Sequence, residues 1–404
     1  MVLLFSSERI VRIGSEYYAR VINFTDFLIQ LSKASDNFHL AMLCDVRAQD
    51  EDDHSTLTRL ELQPDRLLEL PNLTSRYQSF LYAFSIARKI RKYLREQGTE
   101  GESTAVLAPG LNSVSFVLSF LMPTNTTWYL FFRGDTRKTV DEIYRGSILR
   151  LPMTLVIDLF QARVNYLLKS GRAQMFVFGQ ALQEKFYKDH AAKTHVVSPL
   201  IAQSWLEARV DRTGCRPERG NFKVLYVGRL SAEKNIAALI EACAVARNSS
   251  HAFDLTIVGD GPLGRSLEAL VDKLRLQGTV SFTGRIANGP ELMSVYDRHD
   301  VFCLPSKTEG TPRAVAESVA RGLPVVAADV GSVRYMFSEG TIELLQGFEA
   351  SDILSSLAQV FDHFAERQQI ADRSADQADK HTLLYNVERI KHIIEQDRSG
   401  ARHD

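Results

Sequence analysis

Short apolar runs separated by amphipathic stretches set the pattern of this chain. Val2 to Phe5 (VLLF) reads as a buried strand, YYARVINFTDFLIQLSKA from Tyr17 carries apolar residues at helical spacing, and His39 to Val46 (HLAMLCDV) reads as a second strand. The order is β-α-β. It continues through an aromatic-rich helix from Leu73 to Glu96, the runs TAVLAP and SVSFVLSFL, the strand TWYLFF (Thr127 to Phe132), a helix near Leu151 to Lys169, and the runs AQMFVF and THVVSP. Strands spaced by helices predict a parallel, doubly wound sheet, because a parallel connection needs a crossover long enough to hold a helix.

Periodicity lapses between Leu200 and Asn221, where DRTGCRPERGN gathers glycine, proline and charge as interdomain connections do. The alternation then restarts: KVLYVGRL, a helix from about Ile236 to Arg247, DLTIVGDGP, a helix from Leu263 to Leu276, VSFTGRI, a short helix, DVFCLPS, a helix from about Pro312 to Arg321, and PVVAAD. The expected organisation is α/β with two doubly wound, Rossmann-like domains, residues 1–200 and 221–375. A linker at 201–220 separates them, and a C-terminal helix within 376–404 is free to pack back on the first domain.

Composition narrows the function classes. The 404 residues are 45% hydrophobic and 24% charged, ordinary for a soluble folded chain of two or three domains. Lys and Arg number 48 against 49 Asp and Glu, a formal net charge of -1 that supplies no global field for nucleic acid. No nucleic-acid partner is expected. Cys44, Cys215, Cys243 and Cys303 lie far apart without metal-ligand spacing, so they read as reduced thiols in a cytosolic chain. MVLLFSSERI meets charge too soon for a signal peptide, and no apolar run reaches about 18 residues, so a cytoplasmic protein is expected. The stretch FLYAFSIARKIRKYLRE puts Phe80, Phe84, Ala87, Ile90 and Leu94 on one helix face, with Arg88, Lys89, Arg91, Lys92 and Arg95 around it. Two readings fit: peripheral contact of residues 80–96 with the inner, anionic membrane surface, or a core helix with a solvated basic side.

Ligands of doubly wound sheets bind beyond the carboxyl ends of the strands, so the residues that follow each strand of the second half belong together. They are Gly228, Arg229 and Lys234 in GRLSAEKN, Gly259-Asp260-Gly261 in VGDGP, Gly284 and Arg285, the Glu309-Gly310-Thr311 turn, and Gly331-Ser332. Glycine lets the backbone approach a ligand, and two cations beside a helix N-terminus suit a diphosphate. A phosphate ester bearing a polyol is the guest this set suits. Glu309 and Glu317 are eight positions apart, a little over two helical turns, which would place them on roughly one face of a helix.

In this order, GRLSAEKN, VGDGP, VSFTGRI and PSKTEGTPRAVAESVARGLPVVAADVGS resemble the nucleotide-sugar half of a GT-B glycosyltransferase, specifically the retaining glycosyltransferase family 4 (glycosyl transferases group 1). The likeness covers about Asn221 to Ser332. It implies a donor held by the C-terminal domain, an acceptor held by the N-terminal domain, and chemistry in a central cleft that both domains face. It implies that Glu309 meets hydroxyls of the donor sugar and that Glu317 accepts from the ribose hydroxyls. Arg229 and Lys234 would clamp the diphosphate, which takes up the charge developing on the leaving group without a metal. Arg285 falls where the family places the base, and Thr311, Arg313 and Ala314 follow the turn that reads the sugar.

The first half departs from that pattern. Where the family often has a Gly-Gly turn after its first strand, SSERIVRIGSEYY offers only Gly14; where a histidine is expected after a middle strand, LFFRGDTRK offers Arg133 and Asp135. Asp135 fits two roles, orienting or deprotonating the acceptor hydroxyl and closing a loop turn with Arg133 as its ion partner. QDEDDHS contains Asp50 and Asp52, the carboxylate pairing of metal-dependent glycosyltransferases of another fold, but its polar run reads as a solvated loop. The resemblance thus implies a metal-independent, retaining hexosyltransferase with no cofactor. Its donor would be a UDP- or GDP-sugar and its acceptor a hydroxyl of a glycan, a lipid-linked saccharide or a small molecule. A nucleotide-sugar epimerase of similar shape and a non-catalytic sugar-nucleotide or glycan-binding module are the alternatives.

Overall fold

The computed structural model describes residues 1–19, 23–47, 58–72, 81–97, 104–110, 112–134, 147, 150–207, 209–210 and 222–400. Two units emerge: Met1–Phe178 with Leu182–Val197 and Asn386–Asp404, and Gly179–Ala181 with Ser198–Tyr385.

The first unit is built on β1 (Val2–Ile13), β2 (Glu16–Ala19), β3 (Phe38–Arg47), β4 (Thr58–Leu60), β5 (Leu67–Pro71), β6 (Ala105–Pro109), β7 (Thr127–Phe132), β8 (Ala173–Phe178) and β9 (Thr194–Val197). They form a nine-stranded sheet in the order β4-β2-β1-β6-β7-β8-β9, with β3 on β1 and β5 on β3. Helices α1 (Asn23–Lys33), α2 (Ala83–Glu96), α3 (Ser113–Leu121), α4 (Arg150–Lys169) and α5 (Gln180–Phe186) alternate with these strands. SVSFVLSFL becomes α3 because Asn112 caps it, its side chain accepting from the N–H groups of Val114 at 2.9 Å and Ser115 at 3.4 Å.

One expectation needs correction. The first strand does not stop at Phe5 but runs 12 residues to Ile13, and Tyr17 to Ala19, read as the start of a helix, belong to the strand Glu16–Ala19 paired antiparallel to it. Gly14, with φ at 61°, turns the chain between them. The hairpin is held from the side: Tyr17 donates to Glu69 at 2.7 Å, and Arg12 lies 3.2 Å from the same carboxylate. These partners come from β5, which helical spacing along Tyr17 to Ala34 does not register.

The basic helix is a core helix. Ala83, Ile86, Ala87, Ile90 and Leu94 are buried in the first unit, while Phe84 faces outward beneath the Arg88 guanidinium. Most of the apolar face that a bilayer would need is already used; Phe80 lies outside the described residues. Among the described residues no helix is long and apolar enough to cross a membrane. Burial pushes the Cys44 thiol up to about 11 and the Cys243 thiol up to about 12, which leaves both protonated and unreactive near neutral pH. Cys215 lies outside the described residues.

The second unit holds a six-stranded, all-parallel sheet of β10 (Phe222–Val227), β11 (Phe253–Val258), β12 (Val280–Gly284), β13 (Val301–Leu304), β14 (Val325–Ala328) and β15 (Ile342–Leu345). Its helices are α6 (Ile236–Ala246), α7 (Gly264–Leu274), α8 (Pro290–Asp297), α9 (Arg313–Ala320), α10 (Ala350–Asp362) and α11 (Phe364–Ala375). The strand order β12-β11-β10-β13-β14-β15 reverses direction between β10 and β13. The last helix, α12 (Leu383–Gly400), groups with the first unit from Asn386 onward. There Arg389 donates to the Val196 carbonyl at 2.7 Å, and buried Tyr129 donates to Asp397 at 2.6 Å.

Part of the stretch assigned to the linker is core. Gln203–Leu206 forms a 3-10 turn whose Trp205 is buried in the second unit, edge-on to Tyr296 with ring centroids 5.4 Å apart. Arg321, at the end of α9, ties that turn down. It is 3% exposed, makes a two-pronged pair with Asp297 at 2.8 and 2.7 Å, and donates to the Glu207 carbonyl at 2.7 Å. Removing one partner strands the other's buried charge. Arg321→Ala is therefore expected to destabilise the second unit by about 3 to 5 kcal/mol, read as a lowered midpoint in urea; a midpoint within error of wild type would refute this anchor.

Candidate functional site

In an open parallel sheet the crevice forms where strand order reverses, here at the carboxyl ends of β10 and β13. The strand ends are laced together: Gly228 N–H donates to the Val258 carbonyl at 3.0 Å and Gly259 N–H to the Gly284 carbonyl at 2.8 Å. Gly259, at φ 141°, has room for no side chain, since a Cβ would strike the Gly228 carbonyl oxygen. Gly331, at φ 60°, likewise packs against the carbonyls of Glu309 and Gly310, and the Ser332 N–H donates to Gly310 at 2.8 Å. The contacts of Gly228 and Gly259 join the ends of β10, β11 and β12, those of Gly331 and Ser332 join the loops after β13 and β14, and the Lys307 N–H, donating to the Glu233 carbonyl at 2.7 Å, holds the loop after β13 beside the loop after β10.

Between them lies a cavity of about 430 Å³. Gly228 and Lys234 line it from the loop after β10, Arg285 from the end of β12, and Glu309 and Thr311 from the loop after β13; Arg313, Ala314 and Glu317 line it from α9. Arg229, Gly259, Asp260, Gly261 and Gly310 are not on its wall. Arg229 is exposed, and its carbonyl accepts from Tyr226 at 3.1 Å. Asp260 uses its backbone carbonyl to accept from Leu230 at 2.8 Å. Gly14 and Arg133, both exposed, belong to the first unit. Asp135, Asp50 and Asp52 lie outside the described residues.

The two glutamates do not share a helix. Glu309 stands in the loop, and α9 begins only at Arg313, with Pro312 as an N-cap that makes no side-chain hydrogen bond. Glu309 accepts from Lys234 Nζ at 2.6 Å, the two side chains being 9% and 20% exposed. A nearly buried carboxylate and ammonium thus neutralise one another across the cavity wall. Glu233, beside Lys234 in the loop after β10, accepts from Ser231 at 2.5 Å, and that bond holds its carboxyl below the ordinary range. Burial, then the charges of Glu309 and Glu233, push the Tyr226 phenol well above its usual range, so it stays neutral.

Glu317 is 3% exposed. Its Oε2 accepts from Tyr296 at 2.7 Å, and its Oε1 is 3.9 Å from Arg313 Nε. Burial raises its carboxyl; the Tyr296 hydrogen bond and Arg313 only partly offset that. An acid kept here at such a desolvation penalty has one chemical capacity above others, accepting hydrogen bonds from a ligand that brings its own hydroxyls. The Lys234–Glu309 pair has a complementary capacity: an anion can take over the ammonium and release the carboxylate to a second group.

Sequence reasoning missed several walls. Tyr226 and Leu304 belong to strand runs that read only as core, and Ile286 and Asn288 lie in an undistinguished turn after β12. Asn288 accepts from the Trp205 indole at 3.2 Å.

Residues 214–376 match the family model of Glycosyl transferases group 1. Over 136 residues the chain is 33% identical to the amylovoran biosynthesis glycosyltransferase AmsK of Erwinia amylovora, an alignment covering 30% of this chain and 33% of that protein. Over 155 residues it is 29% identical to the alpha-D-kanosaminyltransferase of Streptomyces kanamyceticus, covering 38% and 39%. The chain thus matches only about a third of the length of these curated relatives. Among solved structures, sucrose-phosphate synthase from Thermosynechococcus elongatus superposes with a TM-score of 0.66 at 20% identity over 98% of both chains. Anabaena Alr3699/HepE in complex with UDP superposes with a TM-score of 0.66 at 17% identity, over 98% of this chain and 100% of that one. The fold is GT-B.

A carboxyl whose folded value lies above its unfolded one binds a proton on folding in the window between the two, so its contribution to stability falls as pH rises through that window. Wild type is therefore expected to lose ground to Glu317→Gln as pH climbs from the ordinary carboxylate range, in paired thermal melts across pH. A wild type that gains on the variant with rising pH would contradict the burial argument.

Proposed function

We propose that the chain is a retaining hexosyltransferase of glycosyltransferase family 4, moving a sugar from UDP or GDP to a hydroxyl of a glycan, a lipid-linked saccharide or a small molecule, in polysaccharide or glycoside biosynthesis. The observation that carries this reading is the cavity at the sheet's switch point, walled by Lys234, Glu309 and buried Glu317, inside the stretch that matches the group 1 model. The names of the matched relatives, glycosyltransferases of polysaccharide and glycoside assembly, support the reaction class. A structural neighbour's complex with UDP supports the donor class.

On this reading the ribose hydroxyls donate to Glu317. Lys234 exchanges Glu309 for a diphosphate oxygen, and the released Glu309 carboxylate meets hydroxyls of the sugar. As the glycosidic bond breaks, the diphosphate gains charge, and Lys234 stabilises it more than it stabilises the intact donor. Arg229, exposed beside this loop, joins the diphosphate only by reorienting. No protein nucleophile is assigned; the acceptor attacks from the face the diphosphate leaves, and a departing phosphate oxygen takes its proton, which preserves anomeric configuration. No step needs a metal ion.

Lys234→Ala removes a charge-assisted contact worth about 1.5 to 3 kcal/mol and should lower turnover roughly ten- to a hundredfold; because it leaves the nearly buried Glu309 carboxylate without its partner, the thermal midpoint should fall as well, and turnover is read well below that midpoint. The assay is release of nucleoside diphosphate from a panel of UDP- and GDP-sugars with and without acceptors, in EDTA. Acceptor-dependent release is expected. Sugar epimerisation without acceptor would replace transfer by isomerisation, and donor binding without turnover would reduce the protein to a binding module.

A further inference from the structure

The residues behind the cavity wall have a role that rests on the donor-site reading above. We propose that Tyr296 is a positioning residue for Glu317, that Trp205 fixes the ring carrying its hydroxyl, and that the two aromatics tie two wall residues of the site, Glu317 and Asn288, to one another. Tyr296 does not line the cavity. It is fully buried on α8, and its hydroxyl donates to Glu317 Oε2 at 2.7 Å, leaving Oε1 as the oxygen nearer Arg313. The terminal torsion of a glutamate is broad, so an unpartnered carboxylate would sample many orientations; one buried donor on one oxygen selects among them. The phenol is held in turn. Trp205 stands against it at 84° with centroids 5.4 Å apart, and Phe302 of β13 packs at 6.0 Å on the same ring. The Trp205 indole N–H donates at 3.2 Å to Asn288, a wall residue of the loop after β12.

One aromatic pair therefore reaches both Glu317 on α9 and Asn288 on the loop after β12. Trp205 lies near the end of the chain's passage into this unit, so the site's geometry depends on a residue that sequence reading placed in a linker. An acceptor fixed before the ligand arrives spares the ordering penalty on binding, and the buried donor limits the desolvation penalty the carboxylate carries while the site is empty.

Tyr296→Phe keeps the ring and its packing and deletes only the donor. The measurement is calorimetric affinity for UDP and GDP, each beside its 2′,3′-dideoxy analogue. Wild type is expected to favour the nucleotide with ribose hydroxyls. Tyr296→Phe should weaken that ligand about tenfold and leave the dideoxy analogue within about twofold, compressing the discrimination. Equal losses on both ligands would make Tyr296 merely structural and overturn the proposal. Glu317→Ala separates the two layers of inference. If it abolishes the discrimination while Tyr296→Phe retains it, the positioning role fails and the donor site stands. If Glu317→Ala changes neither affinity, the donor-site reading itself fails, and the role of Tyr296 goes with it.

Discussion

The chain leaves the second sheet in opposite directions on either side of β10, toward β11 and β12 on one flank and through β13 toward β14 and β15 on the other. The loops that follow β10 and β13 must part, and the opening they leave is lined by whatever residues end those strands. Lys234 and Glu309 follow from this placement, because they sit in the two parting loops and meet across them at 2.6 Å. Gly259 and Gly331 follow as well, since strand ends and loops that approach so closely leave no room for a Cβ. The short helix α9 then starts at the mouth of the cavity and carries Glu317 into the wall.

Stability and chemistry pull against each other in α9. Six of its eight residues, Val315 to Ala320, are buried, and five of them are of the small or apolar kind that such a helix should bury. Glu317 is the exception, and burial raises its carboxyl rather than lowering it. Arg321, one turn further, is buried too but meets a matched carboxylate and backbone carbonyls. The contrast separates a charge that the fold satisfies from one it satisfies only in part. Lys234 and Glu309 lie between these cases: they satisfy each other at 2.6 Å and, on the proposed reading, exchange partners when a diphosphate arrives.

Period-based reading recovered five of the six strands of the second sheet, β10 to β14, because they are short apolar runs separated by helices of clear amphipathic or apolar character, and left the edge strand β15 (Ile342–Leu345) unread. It erred at Glu16–Ala19, where Tyr17 and Tyr18 fit a helical spacing with the following residues. Pairing to Ile13 and the contact with Glu69 decide otherwise, and neither partner is local. Several cavity walls, Gly228, Lys234, Arg285 and Glu309, were legible as glycines and charged residues that stand out at strand ends. Arg229 and Asp260 stand out for the same reason yet do not line the cavity, because strand-end position does not say which way a side chain points. Tyr226, Tyr296 and Trp205 were invisible because a buried aromatic that serves a site looks, in sequence, like any other core residue. Asn288, on the cavity wall, accepts from Trp205, which lies three strands and two α-helices earlier along the chain, a contact no local pattern reports.

The central claim is that the Lys234–Glu309 pair is a resting arrangement that a diphosphate breaks. Titration calorimetry of free UDP and GDP against wild type and Glu309→Gln tests it most directly. With the ammonium no longer held by a carboxylate, the variant should bind the free nucleoside diphosphate as tightly as wild type or a few-fold more tightly, even though sugar transfer falls. A tenfold loss of affinity for the free nucleotide would mean that Glu309 serves nucleotide binding itself, and the partner exchange would be wrong.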